Sequence, residues 1–472
     1  MKKEDICFMP AYEMVEKIRT QELTSLEITE TIIERIEKIN PMINAYCTPT
    51  FDLAREMARN ADEAAKKGDG GIINGVPTSL KDLSLTKGIR TTFGSKIYEN
   101  FIPDEDCVLV KRLKDAGCVL LGKTNTPEFG FKGVTDNAIF GETHNPWNLK
   151  KTCGGSSGGA GSAVASGISP LAQGSDGGGS IRIPASLNGI YGLKPTFGRV
   201  PFYPKEYIFA HTLAVAGPLT RYVKDAALML DVMKGPFEGY RYSLPSDNVS
   251  YFEQIQNQPN KLKIAYSLNM GFAKVIDAEV EKAILNSVEK FRNYGWNPES
   301  VKMKLRKPEL PFYTIWISEV AFSLKSKLAK WRDKIDPSLL KMVEGGLGFD
   351  GKAIINSMKA RKEVFEGFYK IFKHYDILIT PTTAIPAFDL GIPFPTKING
   401  KGVSPSAWQA FTFPINLIGN PAASIPCGWS SDGLPIGMQI VGRRFDELTV
   451  LQVSKAFEEV APWQDKKPKF NE

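Results

Sequence analysis

Histidine is scarce in this chain of 472 residues: only His144, His211 and His374 are present. None stands at an HxxH or HExxH spacing, which argues against a protein-ligated zinc or di-iron centre. The same scarcity leaves few candidates for the base of a Ser-His-Asp arrangement. Paired cysteines are missing too. Cys7, Cys47, Cys107, Cys118, Cys153 and Cys427 lie far apart with no CxxC pair, so they read as reduced thiols, and a reducing cytoplasm is the expected compartment. Long apolar runs are absent: nothing approaches the roughly 18 successive apolar residues of a membrane helix. The stretch Ile208 to Leu219 is broken by His211, Thr212, Gly217 and Pro218. After Lys2 and Lys3 come Glu4 and Asp5, where a secretory signal needs an apolar core. Charge of one sign is in small excess, 59 Lys+Arg against 52 Asp+Glu for a net +7. Gly (42) and Pro (31) are only modestly raised beside 42% hydrophobic residues, so disorder throughout and fibrous repeats are excluded.

What is present is helix and strand in alternation. From Ser25 to Ile39, Leu26, Ile28, Ile32, Ile33, Ile36 and Ile39 recur mostly three to four apart among charged residues, which predicts an amphipathic helix. Thr24 or Ser25 caps it, and Asn40-Pro41 is expected to close it. Phe51 to Lys67 predicts a second helix ended by Gly68. Strand-like Asn74 to Leu80 and Cys118 to Thr124 flank a helical Cys107 to Ala116. Later strands are expected at Ile377 to Thr380, Ala422 to Pro426 and Ile436 to Val441, before a last helix from Asp446 to Val460. The rhythm predicts an α/β fold with a mixed twisted sheet covered by helices on both faces. Residues 1–472 are expected to form one domain. Within it, 240–375 form a helical cover that shapes the substrate pocket, with helices at Asp277 to Tyr294, Tyr313 to Ile335 and Gly351 to Tyr375. Lys325, Lys327, Lys330, Arg332 and Lys334, beside Trp316 and Trp331, fall on one such helix and read as a solvated face, so no nucleic-acid partner is expected.

Between Cys153 and Gly192 lie twelve glycines and eight serines together with Ala, Val, Ile and Leu. A flexible tether needs no such apolar residues, whereas backbone wrapped closely around a small ligand needs glycine. The runs are Gly154-Gly155-Ser156-Ser157-Gly158-Gly159 and Ser175-Asp176-Gly177-Gly178-Gly179-Ser180. Neither continues into Gly-Lys-Ser or Gly-Lys-Thr, so a P-loop is excluded. Successive N–H groups of a glycine run can form a nest for an anion or a developing oxyanion, with Ser180 at its mouth opening a short helix. A serine hydroxyl needs a base. Lys81 ends an apolar strand-like run, and a buried lysine loses its charge readily enough to serve.

Lys81 after Gly-Val-Pro-Thr-Ser-Leu, Gly154 to Gly159, Asp176 to Ala185 and Gly192-Leu193-Lys194-Pro195-Thr196 together resemble the amidase signature family of Ser-cisSer-Lys hydrolases. Order and spacing agree: Ser156 lies 75 residues after Lys81, and Ser180 lies 24 after Ser156. The resemblance continues through Val215 to Arg221 and Gly433 to Gln439, leaving out about Tyr240 to Tyr375. It implies Ser180 as nucleophile, Ser156 as the bridging serine behind a cis peptide bond from Gly155, and Lys81 as the base. It also implies an oxyanion hole of the Gly177, Gly178, Gly179 and Ser180 N–H groups. Ser157 supports the network, and Asp176 and Arg182 shape the turn. The implied activity is hydrolysis of a carboxylic acid amide, of aryl or acyl type, through an acyl-enzyme, with esters or carbamates as further substrates. No metal or organic cofactor is called for.

Two alternatives stand beside it: the amidase component of a glutamyl-tRNA(Gln)/aspartyl-tRNA(Asn) amidotransferase, and a silent binding relative. The presence of Lys81, Ser156 and Ser180 speaks against the silent relative. Thr124-Asn125-Thr126-Pro127-Glu128-Phe129-Gly130 is more similar to stand-alone amidases than to their amidotransferase counterparts. The partner expected is therefore a small-molecule amide, without membrane association, and the resemblance is compatible with a homodimer. Phe312, Tyr313, Trp316, Phe322, Trp331, Trp408, Phe411 and Phe413 are candidates for an apolar acyl or aryl pocket.

Overall fold

The Glu27 N–H donates to the Thr24 hydroxyl at 3.1 Å while the Thr24 N–H donates to the Glu27 carboxylate at 2.8 Å. This capping box satisfies two backbone donors that a helix start leaves free, and it opens α1 (Ser25–Ile43) in the computed structural model, which describes residues 1–203, 212–259 and 261–470. His211, with the start of the Ile208 to Leu219 run, lies outside the described residues. Helix α1 does not stop at Asn40-Pro41 as the sequence predicts. Pro41 sits inside its last turn and the helix runs on to Ile43. The Asn40 side-chain oxygen accepts from the Ala45 and Tyr46 N–H groups at 2.8 and 2.7 Å, so the exit is fastened beyond the proline.

Helix α2 (Phe51–Lys67) ends at left-handed Gly68 as expected, followed by α3 (Val108–Asp115), α4 (Gly158–Ala165), α5 (Arg182–Asn188) and α6 (Ala278–Lys290). The cover region holds α7 (Glu309–Leu324), α8 (Pro337–Leu347) and α9 (Gly351–Phe372), and the chain closes with α10 (Phe413–Ile418) and α11 (Glu447–Val460). The predicted helix from Tyr313 to Ile335 starts earlier, at Glu309, and breaks after Leu324 into short turns that bury no residue. Lys327, Lys330 and Lys334 would stack like charges three and four apart on a continuous helix.

Eleven strands form the main sheet: β1 (Tyr46–Pro49), β2 (Pro77–Lys81), β3 (Val119–Thr124), β4 (Leu171–Asp176), β5 (Tyr191–Lys194), β6 (Val215–Thr220), β7 (Ile264–Tyr266), β8 (Glu299–Ser300), β9 (Ile377–Pro381), β10 (Ala422–Trp429) and β11 (Pro435–Gly442). Their order is β1-β3-β2-β4-β6-β5-β10-β11-β9-β7-β8. Pairing is mixed: β2 runs parallel to both β3 and β4, whereas β4, β6, β5, β10 and β11 are joined antiparallel. The stretch expected to be a helical cover thus also supplies the last two strands of the sheet, β7 parallel to β9 and β8 parallel to β7 at the edge.

Side chains alternate across a strand, and the core follows. On β9, Ile377 and Ile379 join one apolar cluster with Ile28, Ile32 and Val450, while Leu378 joins another with Ile183, Phe312, Phe368 and Phe413. The first cluster runs from α1 and α11 on to Phe131 and to Val320, Leu324, Leu339 and Val343 of α7 and α8, and the second lies under α5, α7, α9 and α10. Both clusters reach the cavity at Ser180, through Phe131 of the first and Ile183 and Phe312 of the second.

Candidate active site

Strand β2 is buried along its whole length and delivers Lys81 at its last position. Parallel β4 beside it, with Leu80 opposite Gln173, brings Ser175 and Asp176 to the same end of the sheet. There Lys81 is fully buried, with Nζ 2.7 Å from Ser156 Oγ and 3.1 Å from Ser175 Oγ. Burial pushes the Lys81 amine down to about 7, and the Asp176 charge opposes that only in part. A neutral amine presents a lone pair, and Ser156 Oγ lies where its proton can reach it. The Gly155–Ser156 peptide bond is cis.

Ser156 and Ser157 precede α4, and the Ser157 N–H donates to the Ser180 carbonyl at 3.2 Å. Ser157 Oγ donates to the Ser175 carbonyl and accepts from the Ser175 N–H, at 3.2 and 3.3 Å. The two serine turns are thus stitched together through backbone. No hydrogen bond joins the Ser156 and Ser180 hydroxyls among the described residues, so Lys81 and Ser156 are in contact while Ser180 stands apart from them.

The glycine turn is held by a buried ion pair. Arg182 and Asp176 are both wholly inaccessible, with guanidinium nitrogens 2.9 Å from each carboxylate oxygen. Burial alone would raise the Asp176 carboxyl, and it is the largest single influence, yet the charge and hydrogen bonds of Arg182, the Lys194 charge and the Asn416 amide together outweigh it and hold the group well below the ordinary carboxylate range. Arg182 also donates to the Thr412 carbonyl, Gln439 and Asn416 at 2.9, 2.6 and 2.7 Å, tying the turn to α10 and β11. Asp176 accepts the Gly179 N–H at 2.8 Å. That corrects the predicted nest: Gly179 spends its donor on Asp176 and has none to aim at an oxyanion, which leaves the Gly177, Gly178 and Ser180 N–H groups. Glycine is required at two of these positions for room. A Cβ on Gly179, at φ +135°, would lie 2.4 Å from Thr412 Oγ1, and one on Gly178 would lie 2.7 Å from the Phe312 ring.

Ser180 opens onto a small cavity of about 40 Å³, lined on its apolar side by Phe131, Phe312, Tyr313, Trp316 and Met342. Of the predicted pocket aromatics, Phe312, Tyr313 and Trp316 are there. Phe413 supports Phe312 from behind, with ring centroids 5.0 Å apart. Trp408 and Phe411 are core residues, Phe322 is 65% exposed, and neither Phe322 nor Trp331 lines this cavity. Sequence reasoning missed Ser175, Asn416, Thr412 and Gln439. Ser175 carried a signal, lying in the glycine run two residues from Gln173 and hence on the same strand face; the other three are distant in sequence and met only through folding.

Lys194 is a second fully buried lysine whose amine burial also lowers to about 7, but its Nζ meets only the Pro195 carbonyl, at 2.9 Å. Lys123, equally buried, donates to the Ser84 carbonyl and to Thr86 and Thr91. Among these three, Lys81 alone meets serine hydroxyls.

The sequence model of the Amidase family matches residues 27–451. The chain is 36% identical to an acylamidase of Rhodococcus erythropolis over 99% of its own length and 98% of that protein. It is also 36% identical to one of the subunits of the glutamyl-tRNA(Gln) amidotransferase of Carboxydothermus hydrogenoformans, over 99% of its length and 100% of that protein. Among solved structures it matches a bacterial aryl acylamidase of the amidase signature enzymes with a TM-score of 0.91 and 31% identity, covering 97% of each chain.

Proposed function

This chain belongs to the amidase family, enzymes that hydrolyse amides, and from that premise we propose that it cleaves aryl or acyl amides through an acyl-enzyme on Ser180, with Ser156 and Lys81 as its proton relay. The observation that carries the reading is the solvent-free Lys81 amine 2.7 Å from Ser156 Oγ. Ser180 Oγ attacks the amide carbon and forms the C–O bond. Its proton passes to Ser156 as the Ser156 proton passes to Lys81, and the oxyanion is received by the free N–H groups of Gly177, Gly178 and Ser180. The open Ser180–Ser156 contact closes when substrate is seated, as catalytic hydrogen bonds often tighten only then. The proton returns through Ser156 to the nitrogen, the C–N bond breaks and the amine leaves. Water then repeats the relay and releases the acid.

Sequence identity does not separate the two functional readings, since the acylamidase and the amidotransferase component match equally. The cavity favours the hydrolase. Glutamine, the ammonia source of an amidotransferase, brings an α-ammonium and an α-carboxylate that need charged partners. Among the described residues, Lys132 is the only charged one lining the Ser180 cavity, and it already faces two carboxylates. Aromatic walls suit an apolar acyl or aryl group. The test is covalent trapping with a fluorophosphonate followed by peptide mass spectrometry. The expected adduct is on Ser180 and is lost in Ser180→Ala; an adduct on another residue would overturn the assignment.

A further inference from the structure

Beside the nucleophile, the cavity wall has two origins. Phe131, Lys132 and Gly133 come from the loop that follows β3, while Met342 comes from α8 and Phe312, Tyr313 and Trp316 come from α7. The α8 start is fastened to that loop by polar contacts converging on one residue, Asp336. Its N–H donates to the buried Glu128 carboxylate at 2.7 Å, and Glu128 is held in turn by the Ser95 hydroxyl at 2.5 Å. One oxygen of the Asp336 carboxylate caps α8 by accepting from the Ser338 and Leu339 N–H groups at 2.8 and 3.3 Å. The other oxygen accepts from Lys132 Nζ at 3.1 Å, and Lys132 also reaches Asp136 at 2.7 Å. Lys132 thus stands in the wall of the Ser180 cavity and holds the helix that carries Met342 across from it.

We propose that Lys132 and Asp336 are specificity-determining residues: their ion pair keeps α8 and Met342 down on the Ser180 cavity and so sets how large a group can be accepted there. The argument rests on the acyl-enzyme reading above and on size. As held, the cavity of about 40 Å³ has room for only a few water molecules at the roughly 10–15 Å³ each requires. A small acyl group fits with little movement, whereas a benzoyl or longer acyl group needs Met342 and the α8 start to withdraw. The side chains of Lys132, Asp136 and Asp336 are partly exposed, at 16%, 34% and 21%. A pair so placed is weakened by salt, unlike the buried Asp176–Arg182 pair beneath the serine.

The test uses the full chain and a series of anilides from acetyl to benzoyl and octanoyl. Asp336→Asn keeps a capping oxygen and the N–H to Glu128 but removes the charge facing Lys132. Expected is an increase of about fivefold in the ratio of kcat/KM for the octanoyl to the acetyl anilide, the scale of one partly exposed ion pair, with acetyl turnover retained. Lys132→Met, whose apolar stem keeps the packing, should move the ratio the same way. In the unaltered chain the ratio should rise with added sodium chloride and in Asp336→Asn it should not. A ratio unchanged in both variants and flat with salt overturns the proposal while leaving the hydrolase reading intact. Failure of the unaltered chain to cleave any anilide in the series overturns the hydrolase reading instead.

Discussion

Lys81 works in this scheme only without its proton, and burial pushes its amine down to about 7. The sign follows: above pH 7 the amine is free and turnover is full, and below it activity should fall about tenfold per pH unit as the base is titrated. A kcat/KM profile from pH 5 to 9 on a neutral anilide reads this directly. Lys81→Met should lower kcat by about three powers of ten or more and abolish the acid limb. It should unfold at the same or a higher temperature, because an apolar side chain in a dry site carries no charge to desolvate. An active Lys81→Met enzyme with its acid limb in place would assign the base elsewhere.

Helix starts and turns separate residues that hold the fold from residues that hold the site. The Thr24 capping box opens α1, whose Ile28 and Ile32 pack with Ile377 and Val450, and none of these lines the Ser180 cavity. Thr24→Ala should cost about 1 kcal/mol in denaturant unfolding and leave kcat/KM unchanged. Arg182 differs because five of its side-chain contacts converge from Asp176, Thr412, Gln439 and Asn416. Lysine has one point charge where Arg182 has a fork, so Arg182→Lys should cost about 3–5 kcal/mol and also depress turnover, through the loosened Asp176–Gly179 turn. A variant that lost stability but kept full kcat would show that the ion pair braces the fold alone.

At the scale of the molecule, Ser180 opens onto walls supplied by α7, by α8 and by the loop after β3. That placement predicts substrate choice. The purified chain, with no added partner or tRNA, should release the arylamine from a short-acyl anilide faster than ammonia from acetamide, as measured by product release under equal enzyme. Equal rates, or release of ammonia from glutamine only when partner proteins and tRNA are added, would reverse the choice between hydrolase and amidotransferase component. Among the described residues no helix is long and apolar enough to cross a membrane.

Much of the outline was legible locally. Helix period, the Thr24 cap, Gly68 and the apolar strand runs are short-range signals, and α2, β3 and α11 fall where those signals place them, within a residue at each end. The α1 exit past Pro41 and the break after Leu324 were not, since a proline is tolerated where the Asn40 side chain re-ties the chain just beyond it and a helix needs a buried face that sequence pattern only approximates. The order of Lys81, Ser156 and Ser180 along the chain carries the resemblance on which the proposed relay rests. Only folding decided which of three buried lysines meets a serine, that Asp176 takes the Gly179 donor, and that Met342 faces Ser180. Most of those facts depend on side chains far apart in the chain being brought within hydrogen-bonding or packing distance, and a contact of that kind has no local signature: it exists only once parallel β2 and β4 are side by side and the cover has closed over them.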